Sequence, residues 1–209
     1  MTVSHAIPES APTILLIHRD GLKAGSEATY RAVEEDAARI CADLNCPHPH
    51  FAIESLTGPK EVWWLNAFDS DAEKERVIEA YKSNRPLTEA LAGITKRREG
   101  LLSTDVECFA DYRADLSRSG AWKVAGVRLF AVTVTRREPS KTGAAFQAPD
   151  GTCFVFRALE SRDQAGALAA PVDSNTTIFA VRPYWGLPAK EWIDADPVFW
   201  KANPKATRR

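Results

Sequence analysis

The stretch from Val62 to Tyr81 changes its apolar period midway, and this change predicts a strand that is followed at once by a helix. Its first part, Val62 to Phe68, is largely apolar on both faces of an extended segment, which is typical of a central, covered strand. Ser70 and Glu73 then have the spacing of a capping box, in which hydroxyl and carboxylate each bond a backbone N–H that the helix leaves unpaired. We therefore expect a helix to begin at Ser70.

The first half of the chain follows one recognisable order of elements. A helix begins at Ser26 with an apolar stripe at three- and four-residue spacing and ends by the Cys46-Pro47 step. A further helix follows the capped one and opens with Pro86 in its first turn. Strands are predicted at Thr13 to Arg19, Phe51 to Leu56, Val62 to Phe68 and Val106 to Arg113. This order is β-α-β-β-α-β, the split, ferredoxin-like arrangement.

The second half begins the same order and then loses it. A long strand is predicted from Val127 to Arg136, but the segment after it is too short and too rich in Pro, Ser and Lys for a full helix. Pro149-Asp150-Gly151 predicts a hairpin turn, because Pro presets one dihedral angle and Gly supplies the left-handed one. A short helix from Leu159 to Ala169 and a strand from Thr177 to Arg182 complete a degenerate repeat.

These elements divide the chain into a flexible leader (1–12), a first half (13–115), a degenerate second half (116–183) and an aromatic-rich tail (184–209). The tail carries too many Trp residues for a disordered segment, so we expect it to cover a strand edge, a helix surface or a partner subunit. Only Lys205 to Arg209 are expected to be loose. Asp196-Pro197 predicts the cap and first turn of one last helix.

Composition restricts the partners. The 209 residues are 44% hydrophobic, which is enough for a core, and 27 basic against 28 acidic side chains give no field that would attract nucleic acid or an anionic membrane. The four cysteines are scattered, so we interpret them as reduced thiols. Without a signal-peptide pattern or a spanning apolar run, we expect a cytoplasmic protein with neither nucleic-acid nor membrane partners.

The element order over about residues 13–183, with the Trp-rich strand that runs into Phe68-Asp69-Ser70, resembles the dimeric α+β barrel superfamily, which includes antibiotic-biosynthesis monooxygenase-like and NIPSNAP-like domains. The resemblance implies two ferredoxin-like sheets, here fused in one chain, that face each other around a cavity. The predicted fold is therefore α+β, with tandem ferredoxin-like repeats forming a barrel and the second repeat degenerate. A homodimer is compatible with this family. Its chemistry is diverse, so function must be argued from the site.

Polar residues that interrupt apolar strands are the candidates for a ligand site. His18 ends the first strand on the same side as Leu16, where a polar group can orient a guest and act as a base or a proton donor. The simpler interpretation is a hydrogen-bonded histidine at a strand end. The ligand-binding candidates are His18, Glu54, Trp64, Asn66 and Tyr112.

Cys46-Pro47-His48-Pro49-His50 is the one cluster of soft and imidazole ligands in the sequence. Because no second cluster accompanies it, the prolines are better explained as the exit from a helix, and we expect neither a metal nor a cofactor. The sequence also lacks a nucleophile elbow and a Gly-rich phosphate loop.

Three hypotheses follow for the function. The first is a barrel cavity that binds a small apolar or aromatic molecule. The second is a cofactor-independent oxygenase or isomerase-type enzyme, with His18 as the base and Trp63 or Trp64 packing the substrate. The third is a non-catalytic structural or interaction protein whose barrel is filled with side chains. An apolar void inside the barrel would support the first hypothesis, and a void with His18 hydrogen-bonded to a carboxylate would support the second. A filled interior would support the third.

Overall fold

The computed structural model describes residues 10–159 and 175–200, and in the first half it contains the predicted order of elements. As predicted, two helices connect the third strand to the fourth. The elements are β1 (Ile14–Leu22), α1 (Glu27–Asp43), β2 (His50–Ser55), β3 (Glu61–Phe68), α2 (Asp71–Ser83), α3 (Arg85–Glu99) and β4 (Leu102–Tyr112).

The second half supplies four more strands and the tail. Its elements are β5 (Leu129–Thr135), β6 (Ala144–Gln147), β7 (Cys153–Leu159), β8 (Thr176–Leu187), α4 (Lys190–Ala195) and α5 (Pro197–Trp200). Most of the predicted leader, the predicted helix beyond Leu159 and the predicted loose end from Lys205 to Arg209 lie outside the described residues.

The eight strands of the described ranges form one closed antiparallel barrel in the order β1-β3-β2-β8-β5-β7-β6-β4. The predicted α+β class and the barrel are confirmed. Within the barrel, β4-β1-β3-β2 and β8-β5-β7-β6 follow the same relative order, but the connection between β5 and β6 has no helix. Helices therefore cover the first half of the wall, where α1 packs on α3.

Several local predictions are confirmed by hydrogen bonds. Ser70 Oγ accepts from the backbone N–H of Glu73 at 3.2 Å, and the Glu73 carboxylate accepts from the N–H of Asp69 at 2.7 Å. Gly151 has a φ of +84°, as the hairpin turn requires. Ser26 differs from expectation: its hydroxyl donates to the carbonyls of Lys23 and Leu101 and makes no cap bond.

Large side chains fill the interior of the barrel. Trp63 is 1% exposed, and its ring centroid lies 5.0 Å from that of Phe179 and 5.9 Å from that of Phe154. The other interior aromatics include Phe51, Trp122, Phe130, Phe146 and Phe156. In the described part of the chain, the barrel therefore has the filled interior that the third hypothesis expects, and not the cavity that the first two expect.

The tail closes onto this core. Strand β8 continues to Leu187, five residues past the predicted end at Arg182, because Tyr184 and Trp185 belong to the sheet rather than to the tail. Trp192 packs edge-on against Phe51 with a centroid distance of 5.4 Å, and Trp200 joins the same cluster. Because a closed barrel has no free edge, the tail packs against the core instead of covering a strand edge.

The predicted cap of the last helix is confirmed, since Asp196 Oδ1 accepts from the N–H of Phe199 at 3.2 Å. The Asp196 carboxylate also pairs with Arg128 and so fastens the tail to the residue before β5. None of the helices in the described ranges is long and apolar enough to cross a membrane.

Candidate functional site

A cavity lies outside the barrel wall, between the sheet and the helices of the first half. Strand alternation places His18 of β1 opposite Trp64 of β3 and opposite Glu107 of β4, so these side chains share the outer face. We name the resulting space of about 180 Å³ the outer cavity. It is lined by Leu16, His18, Glu34, Ala37, Cys41, His50, Trp64, Asn66, Tyr81, Leu91, Ile94, Arg98, Glu107 and Trp185.

Three of the five candidate residues meet here. His18, Trp64 and Asn66 line the outer cavity together. Glu54 lies apart, where its carboxylate accepts from Arg182 Nε at 2.6 Å. Tyr112 belongs to the other side of the wall, since its ring packs 5.5 Å from that of Phe146 in the barrel core. The structure therefore brings three of the five candidates together and places Glu54 and Tyr112 elsewhere.

Of the two tryptophans proposed to pack a substrate, only Trp64 is suitable. Trp63 points into the filled barrel, where it cannot reach the outer cavity. Trp64 is 9% exposed, and its indole Nε1–H donates to the hydroxyl oxygen of Tyr30 at 3.3 Å. That bond fixes the orientation of the indole ring at the cavity wall.

A buried carboxylate organises the polar end of the site. Asp20 is 0% exposed and accepts from the Tyr30 hydroxyl at 2.5 Å, from His18 Nε2 at 2.9 Å and from Arg98 Nη1 at 3.2 Å. Burial alone would raise the pKa of Asp20, but the bonds from His18 and Tyr30 and the charge of Arg98 lower it. Asp20 is therefore ionised, and it ties together side chains from β1, α1 and α3.

His18 is a cation in this setting. Burial opposes its protonation, yet hydrogen bonds to Asp20 and Glu107 outweigh burial and raise the pKa of His18 to about 9. An imidazolium has no lone pair with which to accept a proton. At neutral pH His18 is thus a proton donor and a positive charge, and the hypothesis that it is the base does not fit its surroundings.

Glu34 of α1 is the titratable residue that the sequence analysis missed. Its side chain is 1% exposed and lines the outer cavity. Within the described ranges, its Oε1 has no hydrogen-bond partner, although Arg98 Nη1 lies 3.5 Å away. Burial raises the pKa of Glu34 to about 7, against the opposing charge of Arg98. A signal was present, because Glu34 follows Tyr30 by four residues on the apolar stripe of α1.

The two histidines of the Cys46-Pro47-His48-Pro49-His50 cluster make structural contacts. His48 Nε2 bonds the carbonyl of Ala67 at 2.9 Å, and its ring stacks on Phe68 with centroids 4.6 Å apart. His50 Nδ1 donates to the carbonyl of His48 at 3.1 Å, while burial lowers the pKa of His50 and keeps it neutral. These bonds hold the loop between α1 and β2 against the sheet.

In the described part of the chain, one group of residues has the spacing of metal ligands, namely His18, Asp20 and Asp105, whose ligand atoms lie within 4.8 Å of one another. The group is better explained as an ion-pair network. His18 Nε2 faces both Asp20 and Asp105 at 2.9 and 3.3 Å, as a protonated imidazole does. A metal would need that same nitrogen without its proton.

Comparison with known proteins gives a likeness of fold. The structure is similar to that of a provisionally assigned monooxygenase from Fusobacterium nucleatum, with a TM-score of 0.50 and 11% identity over 83% of this chain and 94% of that one. It is also similar to a provisionally assigned monooxygenase from Lactobacillus acidophilus, with a TM-score of 0.45 and 8% identity over 90% of this chain and 89% of that one. No family model matches the sequence, and no curated protein matches it significantly. At these identities the likeness concerns the fold alone.

Proposed function

We propose that the outer cavity binds a small, largely apolar molecule and that Glu34 exchanges a proton with it. The observation that carries this proposal is a carboxyl group with 1% exposure, a pKa of about 7 and an oxygen without a hydrogen-bond partner in the described ranges, at the wall of a cavity. Keeping an ionisable group in such a place costs stability, and groups with strongly perturbed pKa values concentrate at functional sites.

The size of the outer cavity restricts the ligand. A cavity of roughly 150 Å³ accommodates one benzene molecule. The outer cavity, at about 180 Å³, therefore suits a molecule with one ring or a compact pair of rings. The indoles of Trp64 and Trp185 and the side chains of Leu91 and Ile94 supply the apolar contacts. A large polycyclic compound would require the helices to move away from the sheet.

The polar groups divide into an acceptor and several donors. Glu34, with its pKa near neutrality, can take a proton from an acidic C–H or O–H group of the ligand. His18 and Arg98 carry positive charge, and the Asn66 amide adds a neutral donor. These donors can stabilise the anion that proton removal creates, which is the larger part of most such catalysis.

An enolate or phenolate formed in this way has two outcomes. It can be protonated at another atom, which is an isomerisation, or it can give an electron to dioxygen and become oxygenated. The name of the Fusobacterium nucleatum neighbour makes oxygenation the outcome to examine first.

We also infer membership of the dimeric α+β barrel superfamily and an origin of the two halves as tandem ferredoxin-like repeats, which the equal strand orders support.

A second function, binding without reaction, uses the same cavity. It is favoured by the apolar lining of Leu16, Ala37, Leu91 and Ile94, which is sufficient to hold a ligand by burial alone. The two functions differ in whether Glu34 is needed as a base. An assay for proton removal inside the cavity therefore separates them.

A suitable probe is 5-nitrobenzisoxazole, a compact two-ring compound. A base removes its C3 proton, the N–O bond breaks, and a coloured cyanonitrophenolate is released without any cofactor. We expect the protein to open this probe faster than a buffer carboxylate at equal concentration, with a rate that rises with pH to half its maximum near pH 7, the pKa of Glu34.

The matched variants are Glu34→Gln and Glu35→Gln, which remove neighbouring carboxyl groups on α1, one inside the outer cavity and one outside its lining. Glu34→Gln should reduce the rate to background, and Glu35→Gln should leave it unchanged. Quenching of tryptophan fluorescence by the probe measures binding separately. Binding without probe opening supports the second function, and equal opening rates in both variants would contradict the role of Glu34.

A further inference from the structure

The C-terminal end of α1 brings two cysteines into contact through a defined backbone motif. Asn45 has a φ of +54°, and the N–H of Cys46 donates to the carbonyl of Cys41 at 2.9 Å. These are the marks of a Schellman motif, in which the residue two positions past the cap contacts the third residue from the helix end. Cys46 and Cys41 occupy those two positions, so the thiols are neighbours because of how the helix stops.

Cys46 has an unusual set of donors around its sulfur. The thiol of Cys41, the hydroxyl of Tyr81 at 2.8 Å and the backbone N–H of His48 all interact with it. The bond from Cys41 and those from Tyr81 and His48 lower the pKa of Cys46 to about 7, although burial acts in the opposite direction. Burial keeps the Tyr81 phenol protonated by raising its pKa, so Tyr81 acts as the donor.

Cys41 has the complementary property. Its hydrogen bond to Cys46, followed by burial, raises the pKa of Cys41, which therefore keeps its proton. A pair of this kind has one thiolate that attacks and one thiol that resolves the product. The other two described cysteines, Cys108 and Cys153, have pKa values that burial raises, so neither offers a thiolate at neutral pH.

We propose that Cys46 and Cys41 form a peroxide-reactive pair that converts reversibly into a disulfide at the end of α1. The Cys46 thiolate attacks one oxygen of hydrogen peroxide, the O–O bond breaks, and hydroxide leaves and is protonated to water. Cys46 is then a sulfenic acid. The Cys41 sulfur attacks it, the S–O bond breaks, and the departing hydroxide takes the Cys41 proton as a second water. Two thiols are oxidised, one peroxide is reduced, and a dithiol reductant restores the pair.

The position of the pair gives a small oxidant a route to it. Cys41 and Tyr81 both line the outer cavity, and Cys46 lies directly behind them, 8% exposed. Peroxide is smaller than any ligand discussed above, so it can enter this cavity. The two side chains, already packed in one buried cluster, must then bring their sulfurs to about 2.05 Å. This chemistry uses Cys46, which the proposed proton transfer by Glu34 does not involve.

The sequence makes the test specific. Trypsin releases Cys41 and Cys46 on one peptide, Ile40 to Lys60, and releases Cys108 and Cys153 on two others. After treatment of the native protein with hydrogen peroxide, unfolding and alkylation, we expect the peptide Ile40 to Lys60 to carry no alkyl group and to have lost the mass of two hydrogen atoms. Treatment with dithiothreitol before alkylation should restore two alkylated thiols.

Variants separate reactivity from structure. Cys41→Ser should stop the reaction at a Cys46 sulfenic acid that dimedone traps, while Cys108→Ser should still form the disulfide. Tyr81→Phe should slow oxidation several-fold at pH 7 and have little effect at pH 9, where the thiol ionises without the hydroxyl. The proposal is overturned if the peptide Ile40 to Lys60 keeps both thiols under conditions that oxidise Cys108, or if dimedone labels Cys108 before Cys46 in Cys41→Ser.

Discussion

Trp63 and Trp64 are consecutive residues of β3, yet their side chains enter two different environments. Trp63 is 1% exposed among phenylalanines inside the barrel, and Trp64 is 9% exposed beside a tyrosine hydroxyl at the wall of the outer cavity. The same contrast runs along β1, where Leu15 and Ile17 face inward and His18 faces outward. The inner face of this barrel wall supplies apolar burial, and the outer face carries the buried polar network.

The largest expected effect is on the free energy of unfolding, when either of the two tryptophans is truncated to alanine. Trp63→Ala should lower the free energy of unfolding by about 4 kcal/mol, because it opens a void in a filled core. Trp64→Ala should cost roughly half as much, since the ring already borders empty space and the truncation enlarges an existing cavity. Urea unfolding of both variants measures the difference. Equal losses would mean that the outer cavity is packed as tightly as the barrel.

A smaller effect, of opposite sign, is expected at Glu34. Its pKa is about 4.5 in the unfolded chain and about 7 in the folded one, so folding becomes less favourable as pH rises between these values. The cost is complete well above pH 7 and is on the order of 3 kcal/mol, from the difference between the two pKa values. Glu34→Gln removes this cost but also deprives Arg98 of a partner, so it should be more stable than the wild type at pH 8 by only about 1 to 2 kcal/mol.

Thermal unfolding at pH 8 and pH 5.5 tests this expectation, with Glu35→Gln as the matched control. The advantage of Glu34→Gln should shrink toward the lower pH, where the wild-type carboxyl is protonated. A Glu34→Gln protein that is less stable than the wild type at pH 8 would show that the carboxylate contributes to folding instead of opposing it.

The smallest effect concerns His18. Its pKa rises from 6.5 in the unfolded chain to about 9 in the folded one, so its contribution is complete below pH 6.5 and is lost as pH rises to 9. The pairing with buried Asp20 is offset by the burial of His18, and half-exposed Asp105 and Glu107 are screened by water, so the contribution is about 1 kcal/mol. Between pH 6.5 and 9, the stability of the wild type should fall more steeply than that of His18→Gln. Parallel curves in chemical denaturation would contradict the raised pKa.

Alternation along single strands made part of the site predictable. It places His18, Trp64 and Asn66 on corresponding faces of their strands, and the barrel register brings these faces together. Alternation cannot reveal which face of an apolar strand looks into the barrel. For that reason the cavity was expected inside, where Tyr112 lies, and was found outside.

The buried network of Asp20, Glu34 and Arg98 could not be predicted from the sequence, for a different reason. Glu34 and Asp20 share Arg98, which lies far along the chain in the last turn of α3. In the sequence Arg98 belongs to a basic run that the helix dipole explains sufficiently. Long-range pairing of charges depends on how α1 and α3 cross the sheet, and no local period encodes that crossing. The surface that the tail packs against was equally hard to predict, because Trp192 completes a core made by distant strands.

The barrel is joined along one very short line of pairing. Strands β4 and β6 share only the pairs Asp111 with Gln147 and Tyr112 with Phe146, whereas β1 pairs with β3 along most of its length. The barrel is thus a rolled sheet closed by a short clasp between β4 and β6, and β4 also carries Glu107 of the outer cavity. The clasp adds one backbone bond to its two residue pairs, from the N–H of Arg113 to the carbonyl of Ala145. Because backbone bonds are few here, we expect the amides around the clasp to exchange with solvent earlier than those between β1 and β3. Because β4 also pairs with β1 along nearly its whole length, opening of the clasp would leave the pairing of β4, β1 and β3 intact.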